Sequence, residues 1–398
     1  MGELDVVQLD TAPSSGIQAA QRLISSCIQC GICSSTCPTA PVMDYTPRHL
    51  WRMVEAGLTD KVLNSSAFWF CTSCYACTNQ CPRGIHPGET MLRLKQAVAE
   101  GEGGVMPENM ARFGDTVVEY HNISGEANDT RLIWMENLDE TERPAGGIGR
   151  RDAQTLYFIG CVSSFYPASY RIPQAFVQIM GRAGVDFTLL GGEEWCCGYP
   201  LLNAGMVEEM AKVAEYNLNK AHELGVERIV MTCPSCFHAW HNIYPELLGR
   251  SLGIEVVPAA QFLVELIEEN RIEMGVLEKK ATYHDPCDLG RKGGVYDAPR
   301  FVLQHIPGVE FIEMREHGPN AACCGGGGNL EAIEPTLVNL VAEARIGQAK
   351  ETGAEVIASA CQQCKRTLGS AARRTKTRVR AMDVAELVWG AMQAAEQS

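Results

Sequence analysis

Length, composition and charge limit what this chain can be. It has 398 residues, of which 46% are hydrophobic, and a formal net charge of −14, so we expect two or three globular domains and no nucleic acid partner. No apolar run approaches the ~18 residues of a spanning helix, and the acidic start differs from a signal peptide. We therefore predict a cytoplasmic protein, peripheral to a membrane only through a partner subunit.

Eighteen cysteines are the most informative part of the composition. The cytoplasm keeps thiols reduced, so dense and regularly spaced cysteines in a cytoplasmic chain indicate metal ligation and not disulfides.

The first cysteines form a motif that occurs twice. Residues 1–16 are interpreted as a loose leader, and a helix predicted over 17–26 precedes the first copy, CIQCGICSSTCP. A second helix is predicted over 47–57, and the second copy, CTSCYACTNQCP, follows it. The spacing is C-x2-C-x2-C-x3-C-P, which typically holds two [4Fe–4S] cubane clusters, with the fourth cysteine of each run on the other cluster. Zinc fits this spacing poorly. The predicted ligand sets are Cys27, Cys30, Cys33 and Cys81 for one cluster, and Cys71, Cys74, Cys77 and Cys37 for the second.

Beyond a helix predicted over 88–100, the apolar periodicity is lost. Residues 101–152 contain GEGG, an acidic segment and PAGGIGRR, which predicts a linker with one helix near 110–120. We therefore divide the chain into a two-cluster domain over 1–100, this linker, and two cysteine-rich units over 153–272 and 273–398.

The two units carry one cysteine pattern in register. A lone cysteine is followed by an adjacent pair before a glycine and then by C-x2-C, and matching cysteines lie 126 to 128 positions apart. Such self-similarity indicates an internal repeat. The sets are Cys161, Cys196, Cys197, Cys233 and Cys236, and Cys287, Cys323, Cys324, Cys361 and Cys364.

Short apolar runs alternate with helical patterns through both units. Strands are predicted over 155–160, 185–190 and 228–232, and again over 281–285, 309–313 and 355–359, with helices that include 168–184 and 331–352. This order predicts a parallel or mixed sheet in each unit, with cysteines at the carboxyl ends of strands. The predicted fold class is α/β: a mainly helical two-cluster domain, then two repeated α/β units related by pseudo-two-fold symmetry.

Five sulfurs exceed the four ligands of zinc or a cubane. Both members of an adjacent pair can ligate only if the backbone bends, for which Gly198 and Gly325 provide freedom, or if they bind different irons. The alternative is that one cysteine of each set is an ordinary core residue. The twin motif and the two sets account for every cysteine, so no dithiol relay remains.

Other residues support weaker hypotheses. His284 and Asp285 precede Cys287 and either cap a strand end or deliver protons. His238, His241 and Trp195 are interpreted as groups that either pack in the core or support the cluster ligands. The glycine run 325–328 lacks the features of a nucleotide loop, so we expect no flavin or nucleotide site in this chain. Five basic residues lie close together near the end of the sequence: Arg373, Arg374, Lys376, Arg378 and Arg380. They form either a solvated surface, or a site that docks a partner or binds an anionic substrate.

These motifs resemble a known family. The repeat of a lone cysteine, CCG and C-x2-C resembles the cysteine-rich domain in the B subunit of heterodisulfide reductase, and WFCTSCYACTNQCPRGI over 69–85 is similar to the C subunit of the same enzyme. The resemblance covers nearly the whole chain, in the order of a C–B fusion. It implies that each five-cysteine set holds a noncubane [4Fe–4S] cluster that binds and splits a disulfide, and that electrons come through the cubanes from a flavin-containing donor subunit.

The resemblance leaves the reaction open. Similar domains occur in iron–sulfur subunits of glycolate, lactate and glycerol-3-phosphate dehydrogenases. The alternative function is therefore an electron relay without its own substrate, which links a flavoprotein dehydrogenase or an electron-bifurcating complex to membrane quinone, ferredoxin or another reductase.

Overall fold

The N-terminal region is helical, and both cysteine motifs lie in loops and short helices between longer ones. The computed structural model describes residues 16–138, 143 and 147–397, so most of the predicted leader, and residues 139–142 and 144–146 of the predicted linker, lie outside the described part. Proline in the first turn favours the start of two of the helices, at Pro47 and Pro87. The helices are α1 (Gly16–Ile24), α2 (Ile32–Ser35), α3 (Pro47–Glu55), α4 (Thr59–Leu63), α5 (Ala76–Asn79), α6 (Pro87–Ala99) and α7 (Glu108–Tyr120).

A compact core fixes the two motifs in place. Helix α1 packs on α6 so closely that a Cβ on Gly16 would lie 2.9 Å from the Ala97 side chain. Trp51 and Phe68 are fully buried beneath the cysteine loops. Burial of such large side chains is the main stabilising term for a small helical region.

The segment between the two-cluster region and the first unit is packed against its neighbours. It contains α7, close to the predicted helix, and a 3-10 helix over Asn128–Asn137. Arg131 and Trp134 of that 3-10 helix are fully buried. The segment predicted as a linker thus contributes side chains to the interior of the first unit.

Each cysteine-rich unit contains a four-stranded parallel sheet. The sheet orders are β2-β1-β3-β4 and β6-β5-β7-β8, so the two units have the same topology. The predicted α/β repeat is confirmed. Unit one consists of β1 (Thr155–Phe158), α8 (Cys161–Phe165), α9 (Arg171–Arg182), β2 (Phe187–Thr188), α10 (Tyr199–Ala204), α11 (Val207–Leu224), β3 (Arg228–Met231), α12 (Pro234–His238), α13 (Tyr244–Leu247), β4 (Glu255–Pro258) and α14 (Ala259–Glu268).

The observed elements differ from the sequence prediction in two details. The helix predicted over 331–352 is divided before Pro335, whose ring cannot continue a helix from the preceding turn. The fourth strand of each sheet was not predicted, since β4 and β8 begin with exposed charged residues and lack a long apolar run. Unit two consists of β5 (Lys279–Tyr283), α15 (Asp297–His305), β6 (Val309–Phe311), α16 (Leu330–Ile333), α17 (Pro335–Glu351), β7 (Val356–Ser359), α18 (Gln362–Arg374), β8 (Arg380–Asp383) and α19 (Val384–Glu396).

The two units exchange helix contacts reciprocally. Helix α19 of unit two packs on α9 of unit one, while α14 of unit one packs on α15 of unit two. Phe176, Phe262, Val302 and Val388 belong to one apolar core that crosses the boundary. This arrangement has the pseudo-two-fold relation expected from the repeat and brings the two cysteine sets to a common side. Within the described ranges, no helix has the length and apolar character needed to cross a bilayer.

Candidate functional site

The parallel strands deliver the cysteines to one place. Cys161, Cys233, Cys287 and Cys361 lie at or beyond the carboxyl ends of β1, β3, β5 and β7, where open α/β sheets bind ligands. A cavity of about 390 Å³ opens between the two units. All five cysteines of the first set and four of the second line it: Cys161, Cys196, Cys197, Cys233, Cys236, Cys287, Cys324, Cys361 and Cys364.

The first five-cysteine set is a buried cluster of sulfur atoms. Hydrogen bonds join Cys161 to Cys196, and Cys197 to both Cys196 and Cys236. These thiol donors lower the pKa of Cys197 to about 6, against the opposing effect of burial. The set therefore favours a thiolate in its middle, which is the form that binds metal.

The second set repeats this arrangement. Cys364 Sγ lies 3.4 Å from Cys324 Sγ, and the backbone N–H of Cys364 donates to Cys361 Sγ at 3.3 Å. Hydrogen bonds from the Cys323 and Cys364 thiols lower the pKa of Cys324 well below its ordinary value. Gly325 has a φ of +86° and its N–H donates to Cys323 Sγ at 3.2 Å, so the bend after the adjacent pair requires glycine.

Arg131 is a further residue of the first set that no sequence motif indicates. Its guanidinium is fully buried, pairs with buried Glu194 at 2.9 Å and lies 3.6 Å from Cys161 Sγ. Glu194 in turn accepts the backbone N–H groups of Ile159 and Gly160 at 2.9 Å each. An aperiodic segment gave no sequence signal for this, since only the tertiary fold brings residue 131 to residue 161.

His284 faces the second set. One of its ring nitrogens lies within 4.8 Å of the Cys324 and Cys364 sulfurs, and Arg345 Nε lies 3.0 Å from His284 Nδ1. Burial, followed by the positive charge of Arg345, lowers the pKa of His284 well below its ordinary value, so the imidazole is neutral. Asp285 is bound instead by Arg300 at 2.7 Å and by the Gly318 N–H at 2.8 Å.

The other histidines and Trp195 are packing groups. His238 is buried beside Tyr199 with Nδ1 3.0 Å from Asn242 Oδ1, and His241 stacks on Phe237. Trp195 is stacked between His121 and Tyr216, with ring centroids 3.5 Å apart on both sides.

A buried polar group lies between the cavity and the two-cluster region. Lys292 Nζ lies 2.6 Å from Asp288 Oδ1, hydrogen-bonds to the Tyr199 hydroxyl and lies 4.6 Å from the centre of the Tyr75 ring. Ser235 donates to the second oxygen of Asp288 at 2.5 Å. Spacing of four residues on one turn gave the only sequence signal for the Asp288–Lys292 pair.

The twin motif forms two further sulfur sites. Cys27, Cys30, Cys33 and Cys81 line a single small cleft. In the other set, burial and then the charge of Cys71, with a smaller effect of Cys74, raise the pKa of Cys37 to about 12, which places Cys37 beside the second run. Cys81 therefore lies with the first run, and Cys37 lies beside the second.

The second four-cysteine site adjoins unit two. The Cys74 side chain hydrogen-bonds to Cys323, and Cys323 Sγ lies 3.6 Å from Thr72 Oγ1. Arg291 Nε donates to the Cys74 carbonyl at 2.6 Å. The two-cluster region is therefore directly connected to the second five-cysteine set.

The donor chemistry of these sites fits iron–sulfur clusters. Every cysteine is free of a disulfide in the described part of the chain, which contains all eighteen. Cysteine sulfurs are the candidate ligands at each of these sites, and backbone N–H groups of residues 29, 73, 325 and 326 donate to Sγ atoms, as is usual around such clusters.

Two protein-family models match parts of this chain. The 4Fe-4S dicluster domain matches residues 23–85, and the Cysteine-rich domain matches residues 155–240 and 281–369. The chain is an iron–sulfur oxidoreductase component with multiple [4Fe–4S] clusters.

Full-length relatives define the family. The chain is 32% identical over 407 residues to the D subunit of dihydromethanophenazine:CoB–CoM heterodisulfide reductase from Methanosarcina mazei, with 96% of each chain covered. Its counterpart from Methanosarcina acetivorans is 33% identical with the same coverage. The EtfAB:quinone oxidoreductase of Syntrophomonas wolfei is 29% identical over 85% of this chain and 48% of its own. The chain belongs to the family of heterodisulfide reductase D subunits.

Proposed function

We propose that this chain carries the disulfide-reducing site of a multisubunit oxidoreductase. The observation that carries the proposal is the single cavity lined by cysteines of both units. Reduction of a disulfide breaks one S–S bond, consumes two electrons and two protons and releases two thiols. Two facing metal sites match a substrate that has two sulfur atoms to hold.

The residues have distinct roles in this proposal. The ten repeat cysteines would hold two noncubane [4Fe–4S] clusters, and the eight motif cysteines two cubanes; bound clusters supply one-electron transfer and iron sites for sulfur. Arg131 and His284 would support the sulfur ligands of unit one and unit two respectively. The cavity walls include apolar Ile123, Val162 and Ala332, which exclude water from the substrate.

The natural substrate and donor are part of the same proposal. The name of the Methanosarcina relatives specifies the CoB–CoM heterodisulfide and dihydromethanophenazine, so this heterodisulfide is the first substrate to test. The electron donor would be a flavin-containing protein like the A subunit of heterodisulfide reductase, or a flavoprotein dehydrogenase.

A relay without its own substrate is the second candidate. It is favoured by the similarity to the EtfAB:quinone oxidoreductase, whose name specifies a flavoprotein and quinone. In that case the cavity would accept no thiol, and a membrane quinone or a larger reductase would be the acceptor.

Electron paramagnetic resonance separates the two candidates. The oxidised protein, which the proposal expects to hold about sixteen irons per chain, is mixed with coenzyme M, coenzyme B and common thiols. A new thiol-dependent signal is expected; no signal with any of them would refute the disulfide reductase. An iron count near eight with bound zinc would refute the noncubane assignment.

Two bulky substitutions test whether the thiol binds in the cavity. Ala332 lines the cavity, whereas Leu340 is 58% exposed on α17. Ala332→Trp should remove the thiol-dependent signal and leave the iron content unchanged, because it fills the cavity without altering a sulfur. Leu340→Trp should retain the signal. Equal signals in both variants would place the thiol outside the cavity.

A further inference from the structure

The two cubane sites differ in how much of the protein covers them. The set with Cys71, Cys74 and Cys77 is enclosed by unit two, since Cys74 hydrogen-bonds to Cys323 and Asn79 Nδ2 donates to the Pro319 carbonyl at 3.2 Å. This cubane site of the two-cluster region therefore lies on the side that adjoins the cavity.

The other set opens to the surface. Cys30 is exposed, and its neighbour Ile28 is 60% exposed. The cleft that contains the four cysteines is also lined by exposed side chains, which we call the outer rim: Ile28, Arg48, Pro82 and Arg83. An electron passing to the cavity through both cubanes has to begin here.

The charge of the outer rim is opposite to that of the whole chain. The chain has a net charge of −14, yet the rim carries two arginines and no carboxylate. Arg83 Nε donates to the Ser26 carbonyl at 3.4 Å, which fixes that side chain beside the first motif. Within residues 16–138, 143 and 147–397, neither Arg48 nor Arg83 forms an ion pair, whereas nearby Arg52 pairs with Glu55 at 3.5 Å.

We propose that the outer rim is the docking surface for an electron-donating redox protein or subunit that presents acidic residues around its cofactor. Opposite charges across the contact raise the association rate and orient the partner, while Ile28 and Pro82 supply a small apolar centre. Each encounter oxidises the donor by one electron and reduces this chain by one, with no bond made or broken. This inference rests on the cubane route of the proposed function.

Charge reversal tests the surface. The cluster-loaded chain is mixed in a stopped-flow instrument with a reduced acidic two-[4Fe–4S] ferredoxin, and the second-order rate of cluster reduction is measured at low and high salt. Arg48→Glu with Arg83→Glu should lower the low-salt rate about tenfold or more and abolish its salt dependence.

A matched control separates docking from net charge. Arg373 and Arg378 are exposed at the end of α18 and in the loop that follows, and reversing both changes the net charge by the same amount. That control should keep the parent rate. An equal loss in both double variants, or no loss in either, would overturn the inference.

A small reductant completes the design. Reduced methyl viologen needs no docking surface and should reduce the rim variant at least as fast as the parent. Slower reduction of the variant would mean that damaged clusters cause the lower rate with ferredoxin, and this would overturn the inference. The thiol-dependent signal is independent of the rim. Its absence, with the rim effect intact, would refute the disulfide reductase and leave the docking surface standing.

Discussion

Gly328 lies directly against the carbonyl oxygen of Cys71, so that any side chain on Gly328 would overlap it. The two residues are far apart in sequence, and this contact seats the glycine run of unit two on the second cysteine motif. Gly327 makes a similar approach to the Thr72 carbonyl. The glycine run is thus a contact between the two-cluster region and the wall of the cavity.

Gly328→Ala should separate these parts. Gly328 has a φ of +66° and no room for a Cβ, so we expect a loss of about 1–3 kcal/mol in the free energy of unfolding and slower electron passage to the cavity clusters. Anaerobic urea unfolding and stopped-flow reduction measure the two effects. Gly347→Ala, in α17 with open space around it, should be neutral or slightly stabilising; an equal loss there would contradict the explanation.

Arg131→Gln should destabilise unit one strongly. It leaves the buried Glu194 carboxylate without its cation, and breaking a buried pair in this way costs about 3–5 kcal/mol. The exposed pair Arg250–Glu215 is the control, since Arg250→Gln should cost about 1 kcal/mol or less. Chemical unfolding under anaerobic conditions measures both.

The double variant tests the cause of that loss. Arg131→Gln with Glu194→Gln removes the unpaired charge and should recover part of the stability that Arg131→Gln alone loses. If the double variant is no more stable than the single one, the ion pair is not the source of the effect.

Lys95 should make one cubane potential depend on pH. The side chain is fully buried near Cys71 and Trp69, and burial lowers the pKa of Lys95 to about 8, while the charge of Cys71 opposes this. Below that pKa the ammonium stabilises an added electron, and above it this stabilisation is lost. The reduction potential should therefore fall as pH rises through about 8, measured by redox titration followed by electron paramagnetic resonance.

Two substitutions at position 95 provide the comparison. Lys95→Met should give a lower potential at about pH 7 without this pH dependence, and Lys95→Arg should keep a high potential at about pH 7 and about pH 9, because arginine stays charged. The same pH slope in Lys95→Met would show that another group titrates.

Removal of the clusters in air should produce a specific disulfide. Cys324 and Cys364 have sulfurs 3.4 Å apart and are both buried. After iron is chelated, we expect peptide mapping without reductant to find this pair crosslinked. Cys30, which is exposed, should react first with iodoacetamide. Random pairing of the repeat cysteines would indicate that unit two does not keep its arrangement without metal.

The kind of site in this protein follows from its cysteine spacing. Cysteine spacing is a local property, because three thiolates in C-x2-C-x2-C converge on one cluster from a single loop, and the repeat of five cysteines in register predicted two equal α/β units, which the sheets confirm. Cys161 and Cys287 were predicted to follow the carboxyl ends of strands, and they do so in β1 and β5. Parallel strands all end at one edge of the sheet, so cysteines at these ends lie close together.

The contacts between distant groups depend on the three-dimensional fold. Arg131 reaches Cys161 from an aperiodic segment, Cys323 meets Cys74, and the outer rim combines residues from three parts of the chain. None of these contacts follows from periodicity or propensity, because each depends on how separately folded elements dock. The cysteine motifs follow from local spacing, whereas the contacts between the cysteine sites and the charges around them depend on packing between distant segments.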